Sequence, residues 1–255
     1  MSAIFIGVGV ALVTLFGDDG GLDAAATASL AEQLVNLGVR AIVVAGSTGE
    51  AATLDPAERA AVLSAVRSRI TSVPVIAGTG APSARQAAAL TTQAADLGAD
   101  GVLVLSPPGA DDPRPYYDTV AKAAAAAGGV PVLAYHFPKA SLPGIPVSVL
   151  ADLPVDGAKD SSGDAQRLLE TLTTWDRPLY TGSSALLALA GPAGCAGAIL
   201  SLANADPEGC IAAFNGDAAA QRALMPAHLE AQAAFPRGIK SLTARRFGTS
   251  SVARM

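Results

Sequence analysis

Short apolar runs alternate with alanine-rich amphipathic segments along the whole chain. Residues 8–14 read as a strand, and residues 23–37 as a helix that stops at Gly38. Residues 41–44 form the next strand, followed by a loop at 45–53; Asp55 then caps a helix whose first turn holds Pro56, a residue suited to that position. Residues 73–77 and 83–97, with Gly98 as the stop, repeat the pattern, and residues 102–105, 116–127, 130–135 and 147–150 extend it. An apolar run at 150–155 then leads into Gly157-Ala158-Lys159, after which come residues 165–174, 178–180, 184–190, 196–201 and a helical tail. Several strands are continuous hydrophobic runs without alternation, the mark of a parallel sheet covered on both faces. Eight strand-like runs, each followed by a helix or helical turn, fit a (β/α)8 TIM barrel better than a doubly wound sheet. The α/β chain is thus predicted to form a barrel over residues 1–205 with a short C-terminal helical extension over 206–255 packed on it. No linker-like shift in composition divides the two, so a single domain is expected.

Composition narrows the picture. The 255 residues suffice for one such barrel, and 51% hydrophobic against 15% charged residues favours a compact chain over disorder. Aromatics are only 4%, so Ala, Val, Leu and Ile must build the core. A net charge of −5 offers no basic footprint for nucleic acid. Cys195 and Cys210 are too few for a disulfide framework and read as packed free thiols in a reducing compartment. The apolar N-terminus lacks a basic leader and reads as the approach to a first strand, not a signal peptide. The long uncharged stretch at 123–134 is broken by Gly128, Gly129 and Pro131, so no membrane span is expected and the cytoplasm is the predicted location.

Barrel chemistry sits where strands end and the following loops begin. Three features stand there. Gly46-Ser47-Thr48-Gly49-Glu50 has two adjacent hydroxyls and two glycines that let backbone N–H groups converge on a carboxylate. It lacks the lysine of a phosphate-binding P-loop and the spacing of a dinucleotide fingerprint. Tyr135 closes the fifth strand, where a phenol can relay protons. Lys159 is expected at the end of the sixth strand, where loss of hydration lowers an amine's pKa and frees it to attack a carbonyl. Taken singly, each has a plain alternative: an ordinary βα turn, a half-buried structural tyrosine, a surface lysine. Together they describe an imine-forming site for a 2-oxo acid.

In these stretches the chain resembles the dihydrodipicolinate synthase/N-acetylneuraminate lyase family of class I pyruvate-dependent aldolases. The matching motifs are Ala11-Leu12-Val13-Thr14-Leu15-Phe16, the Gly46 to Glu50 loop, Val75-Ile76-Ala77-Gly78-Thr79-Gly80, Tyr135-His136-Phe137-Pro138 and Gly157-Ala158-Lys159-Asp160-Ser161-Ser162-Gly163, in order and at the family's spacing. The resemblance implies a TIM barrel with a C-terminal helical region, assembled as a homotetramer of two tight dimers. It implies a Schiff base at Lys159 with pyruvate or the 2-oxo acid part of a substrate, and proton transfer by Tyr135 with Thr48 hydrogen-bonded to it. Ser47, Thr48 and Gly49 would hold the substrate carboxylate, and Gly182 and Ile199 would line the lysine pocket. No metal or organic cofactor is implied, since the protonated imine is itself the electron sink.

The chain also departs from the family pattern. Dihydrodipicolinate synthases carry Pro-Tyr-Tyr after strand four, whose second tyrosine completes a relay in the neighbouring subunit; here the residues are Pro107-Pro108-Gly109. Tyr116 and Tyr117 fall in the next helix and do not replace it. The arginine that binds the aldehyde's carboxylate in those enzymes is Ala140 here, with Lys139 one residue earlier, and a lysine is a point charge without arginine's bidentate fork. Relatives extend a further helix or two past the position of Met255, helices that serve the tetramer, so a dimer is the alternative assembly. His136 replaces a common asparagine, and alternation along the strand turns it away from Tyr135. Lys139, Arg114 and His136 are the candidate specificity residues. These departures point away from lysine biosynthesis and toward an aldolase joining or splitting pyruvate and an aldehyde, with a 2-keto-3-deoxy sugar acid as favoured substrate. The alternatives are a 2-oxo acid dehydratase or hydratase-aldolase, a dihydrodipicolinate synthase, and a barrel that binds a 2-oxo acid without turnover.

Overall fold

The computed structural model describes residues 2–255; Met1 lies outside the described residues. Eight parallel strands pair in sequence order and close on themselves. They are β1 (Gly7–Ala11), β2 (Ile42–Val44), β3 (Val75–Gly78), β4 (Gly101–Leu105), β5 (Val132–His136), β6 (Gly157–Asp160), β7 (Leu179–Thr181) and β8 (Gly197–Leu200). Between them run α1 (Ala24–Asn36), α2 (Pro56–Arg69), α3 (Ala84–Asp96), α4 (Arg114–Ala126), α5 (Val147–Leu150), α6 (Ala165–Thr174) and α7 (Leu187–Ala190). After β8 come α8 (Pro207–Phe214), α9 (Ala218–Ala223), α10 (Met225–Ala233) and α11 (Arg237–Phe247). The fold is a TIM barrel with C-terminal helices, as the pattern of apolar runs predicts. No helix among the described residues is long and apolar enough to cross a membrane.

Local chemistry explains the boundaries. Asp55 and Glu58 form a reciprocal capping box at the start of α2, with Pro56 in the first turn. Asp23, Ser83, Asp164 and Asp206 each accept a backbone N–H at the start of their helices. Two apolar layers result. The larger lies between strands and helices and includes Val10, Val44, Val102 and Ala134; the smaller fills the barrel and includes Val43, Ile76, Leu103, Leu133, Tyr135 and Ile199. Neighbours in sequence on a strand therefore face opposite layers, and that alternation aims Tyr135 and Lys159 inward.

At the N-terminal end Phe5 plugs the barrel. Its ring stacks on Tyr180 with centroids 4.6 Å apart, and the Tyr180 hydroxyl donates to the Phe5 carbonyl at 3.0 Å. Gly197 makes room for this floor: a Cβ there would sit 2.4 Å from the Gly7 carbonyl oxygen and 3.2 Å from the Phe5 ring.

Several expected strands are displaced. The first ends at Ala11, three residues before Thr14, where the Asn204 side chain takes over from the ladder, accepting the Val13 N–H at 3.0 Å and donating to the Ala11 carbonyl at 2.7 Å. The apolar run at 150–155 is the end of α5 and a turn, not the sixth strand. Pro154 has no N–H for a ladder, and Leu153 and Val155 are buried in the outer layer beneath the helices. The sixth strand is the four residues Gly157–Asp160, so Lys159 lies inside it and Asp160 ends it; His136, not Tyr135, ends the fifth.

Replacing Phe5 with Ala removes a buried aromatic floor and is expected to destabilise the fold by about 3–4 kcal/mol. Chemical denaturation of Phe5→Ala beside the parent chain measures it; a loss under about 1 kcal/mol would show that Phe5 does not close the barrel.

Candidate active site

The C-terminal ends of the strands enclose a cavity of about 1070 Å³ whose wall includes Ser47, Thr48, Tyr135, Lys159, Gly182 and Ile199. Strand register brings the central pair together, since Tyr135 of β5 lies opposite Lys159 of β6, both facing inward. The Lys159 Nζ sits 4.3 Å from the centre of the Tyr135 ring, and no carboxylate among the described residues lies within ion-pair distance of it. Lys159 is only 5% exposed, and burial pulls its pKa down to about 7. Near neutral pH a large share is thus free amine. Burial pushes the Tyr135 phenol up to about 12, against the hydrogen-bonding pull of the Ser161 and Ser47 side chains, so it stands as a neutral acid.

Lys159 owes its place to alternation as much as to burial. Asp160, one residue on, faces outward, where it pairs with Arg167 at 2.6 Å and accepts the Ser162 N–H at 2.7 Å. Arg167 also donates to the Ile145 carbonyl, and the Ile145 N–H donates to His136 Nδ1 at 2.9 Å. His136 therefore belongs to a polar cluster behind the sheet. Burial, with Arg167 nearby and Asp160 opposing, lowers its pKa to about 4 and keeps the ring neutral.

The loop after β2 meets the cavity from the other side. Ser47 and Thr48 line it, and the loop is closed by Glu50 N–H to the Ser47 carbonyl and Ala51 N–H to the Gly46 carbonyl, both at 3.1 Å. Gly49 does not line the cavity as expected; it packs behind the loop, its carbonyl accepting the Thr14 hydroxyl at 2.8 Å. Ser161 and Ser47, not Thr48, are the side chains whose hydrogen-bonding pull reaches the Tyr135 phenol. Gly182 is demanded by space, because a Cβ there would lie 1.8 Å from the Ser161 Oγ and 2.9 Å from the Lys159 Cε.

Of the candidate specificity residues, Lys139 lines the cavity while Arg114 and His136 do not. Arg114 points away along the surface to Asp112 at 2.8 Å and Asp152 at 3.1 Å, because both carboxylates flank it at the start of α4. Tyr116 and Tyr117 stay with the helix layer, bonded to the Ala81 backbone and the Val104 carbonyl. Where dihydrodipicolinate synthases carry their tyrosine pair, Pro108 and the buried Ser106 form the wall, and the Ser106 Oγ has no hydrogen-bond partner.

Ser161, Arg59 and His228 are among the cavity residues that escaped the sequence reading. Ser161 was within reach of it: residues 157, 159 and 161 share one face by the period of two, and the Ser161 N–H continues the ladder to the His136 carbonyl at 2.9 Å. Arg59 lines the cavity and ties the Ala51, Leu54 and Gly78 carbonyls together. His228 comes from α10, where its ring hydrogen-bonds the Ser184 hydroxyl at 2.8 Å; no local pattern announces it.

With this geometry in view, the comparisons with known proteins are decisive on kinship. The model of the dihydrodipicolinate synthetase family matches residues 4–241. The chain belongs to that family. It is a family of pyruvate-dependent lyases and aldolases. An uncharacterised DapA-like lyase of Halobacterium salinarum is 37% identical over 249 residues, covering 91% of this chain and 80% of its own. The 4-hydroxy-tetrahydrodipicolinate synthase of Pseudomonas aeruginosa is 37% identical over 86% of this chain and 80% of its own. A mitochondrial protein of Emericella nidulans, named as a probable 4-hydroxy-2-oxoglutarate aldolase, is 36% identical over 80% and 71%. Among solved structures, the chloride-inhibited dihydrodipicolinate synthase of Acinetobacter baumannii complexed with pyruvate superposes with a TM-score of 0.85 at 28% identity, covering 98% of this chain and 94% of that one.

The depressed Lys159 pKa has a direct readout. Trace acylation across pH should modify Lys159 with a midpoint near pH 7, against about 10 for the lysine side chain of an unfolded chain. The unfolded chain holds the extra proton between those values, so Lys159 makes the fold more stable as pH rises through that window. A Lys159→Met variant should lose that part of the pH dependence; a labelling midpoint near 10 would contradict the burial argument.

Proposed function

We propose that the protein is a class I aldolase that makes or breaks a carbon–carbon bond between pyruvate and an aldehyde. The observation that carries the reading is the Lys159–Tyr135 pair: an amine with no carboxylate partner among the described residues, its pKa depressed to near neutrality, against the face of a neutral phenol. Lys159 Nζ attacks the C2 carbonyl of the 2-oxo acid, and the oxygen takes the Tyr135 proton. Loss of water leaves a protonated imine. The Tyr135 phenolate left by that transfer takes the proton of the C4 hydroxyl, the C3–C4 bond breaks, the imine receives the electron pair, and an aldehyde departs. The enamine that remains is protonated at C3 and hydrolysed to pyruvate. Ser47 and Ser161 flank the phenol and give its proton a route, while the Ser47–Thr48 backbone and hydroxyls receive the substrate carboxylate.

The substrate class follows from the wall. Ser47, Ser106, Ser161, Ser162, Ser183 and Ser201 all line the cavity, which gives hydrogen-bonding partners to a chain of hydroxyls. That supports a hydroxylated 2-oxo acid such as a 2-keto-3-deoxy sugar acid. The absence of a tyrosine after β4, and of an arginine at Ala140, weighs against lysine biosynthesis.

Borohydride reduction in the presence of pyruvate should fix the pyruvyl group on Lys159 and nowhere else, and Lys159→Ala should abolish it. Absence of an adduct at any lysine sinks the reading. Tyr135→Phe is expected to keep substrate binding and lower turnover by about 10²–10⁴. Release of pyruvate from candidate sugar acids separates the aldolase from a dehydratase, which retains all the carbons in one product.

A further inference from the structure

Glu50 ends the anion loop, and the chemistry above makes no use of it. It is 0% exposed and sits at φ 56°, a left-handed conformation that is uncommon for a non-glycine residue. A buried carboxylate is costly unless paired and hydrogen-bonded. Its partner comes from far along the chain: Lys240 of α11, also 0% exposed, places its Nζ 2.5 Å from Glu50 Oε1. The other oxygen, Oε2, accepts the backbone N–H groups of Arg254 at 2.7 Å and Met255 at 3.1 Å. Lys240 Nζ in turn donates to the Val252 carbonyl at 2.6 Å.

Residues 252–255 thus run as a strap across the backs of the first two βα loops. Arg254 fastens its outer side, donating to both Glu58 oxygens at 2.8 and 2.6 Å, to the Gly20 carbonyl at 2.8 Å and to the Thr53 carbonyl at 3.2 Å. The cations of Lys240 and Arg254 flank the Phe16 ring, 4.1 and 4.2 Å from its centre. Met255 reaches the cavity wall beside Glu50. The strap's hydrogen bonds to the anion loop converge on the side chain of Glu50, the residue whose backbone N–H closes that loop onto Ser47. Charge gives a second reason for the arrangement. Glu50 lies two residues from Thr48, so an unneutralised carboxylate there would repel the substrate carboxylate that the loop is shaped to receive.

We propose that the strap 252–255, anchored on Lys240, holds and neutralises Glu50 and thereby sets the Ser47–Thr48 loop for 2-oxo acid binding. Glu50 and Lys240 are then positioning residues, acting through the loop. The inference rests on Ser47 and Thr48 being the carboxylate clamp, and the test separates the two.

Two variants test it: deletion of residues 252–255, and Arg254→Ala, which unfastens the strap while leaving its backbone N–H groups. Two quantities are read. One is the pyruvate concentration that half-saturates borohydride trapping at Lys159; the other is amide hydrogen exchange over residues 46–51. The deletion should raise half-saturation about tenfold, with full adduct still reached at saturating pyruvate, and Arg254→Ala about threefold. Exchange over 46–51 should accelerate in both, while β4, β5 and β6 keep their protection. Loop exchange and half-saturation both unchanged in Arg254→Ala overturn the proposal. So does exchange that accelerates equally through the barrel, which would make the strap a general staple. If the deletion fails to fold, Arg254→Ala decides alone. If the parent chain forms no adduct, the aldolase reading falls, and the exchange over 46–51 still decides whether the strap holds the loop.

Discussion

The site depends on one constraint: an amine placed inside a closed barrel with no carboxylate beside it. Water cannot solvate its charge well there, and no counter-ion replaces the water, so the neutral form gains. A single inward-facing aspartate at hydrogen-bonding distance would restore the charge and make Lys159 an ordinary ion-pair partner. The chain does have a carboxylate next door, in Asp160, and the pleat of β6 sends it through the sheet to Arg167 on the far side. The same pleat sends His136 outward and Tyr135 inward. Sorting by alternation keeps the charged pair out of the chemistry while letting it pin the two strands that carry the chemistry.

The contrast with Lys240 is instructive, because both lysines are buried and burial lowers the pKa of each. Lys240 meets the Glu50 carboxylate, whose pull opposes desolvation, and the Val252 carbonyl, and its amine is spent on structure. Lys159 meets an aromatic face and open cavity. Exposure alone does not tell a free amine from a staple; the partners do.

The barrel was legible because its signal is repeated: eight apolar runs separated by helical segments leave few other architectures. The cap Asp55 was legible because its chemistry is local. The end of the sixth strand was expected one residue early, at Lys159, because the apolar run at 150–155 ahead of it carries the strand-like signal that Gly157-Ala158-Lys159-Asp160 lacks. Those hydrophobic residues pack under the helices, while the true strand has small residues where its neighbours crowd it. Lys159, Tyr135 and the Ser47–Thr48 loop were visible as motifs at strand ends. Arg114 was misjudged because loop position alone does not give side-chain direction, and its two aspartates decide that direction instead. Glu50 to Lys240 could not be read, since a pairing across 190 positions leaves no trace in either segment's own pattern.

The floor built by Phe5 and Tyr180 gives the barrel a blind end. A vessel with one mouth fills and empties in sequence. Under the proposed chemistry the carboxylate and imine carbon sit deepest, so the fragment not joined to Lys159 lies nearer the opening and must leave first. In the synthetic direction pyruvate must enter before the aldehyde, or find its seat blocked. Ordered kinetics would then need no moving lid; they follow from a stacked pair of rings at the other end of the molecule.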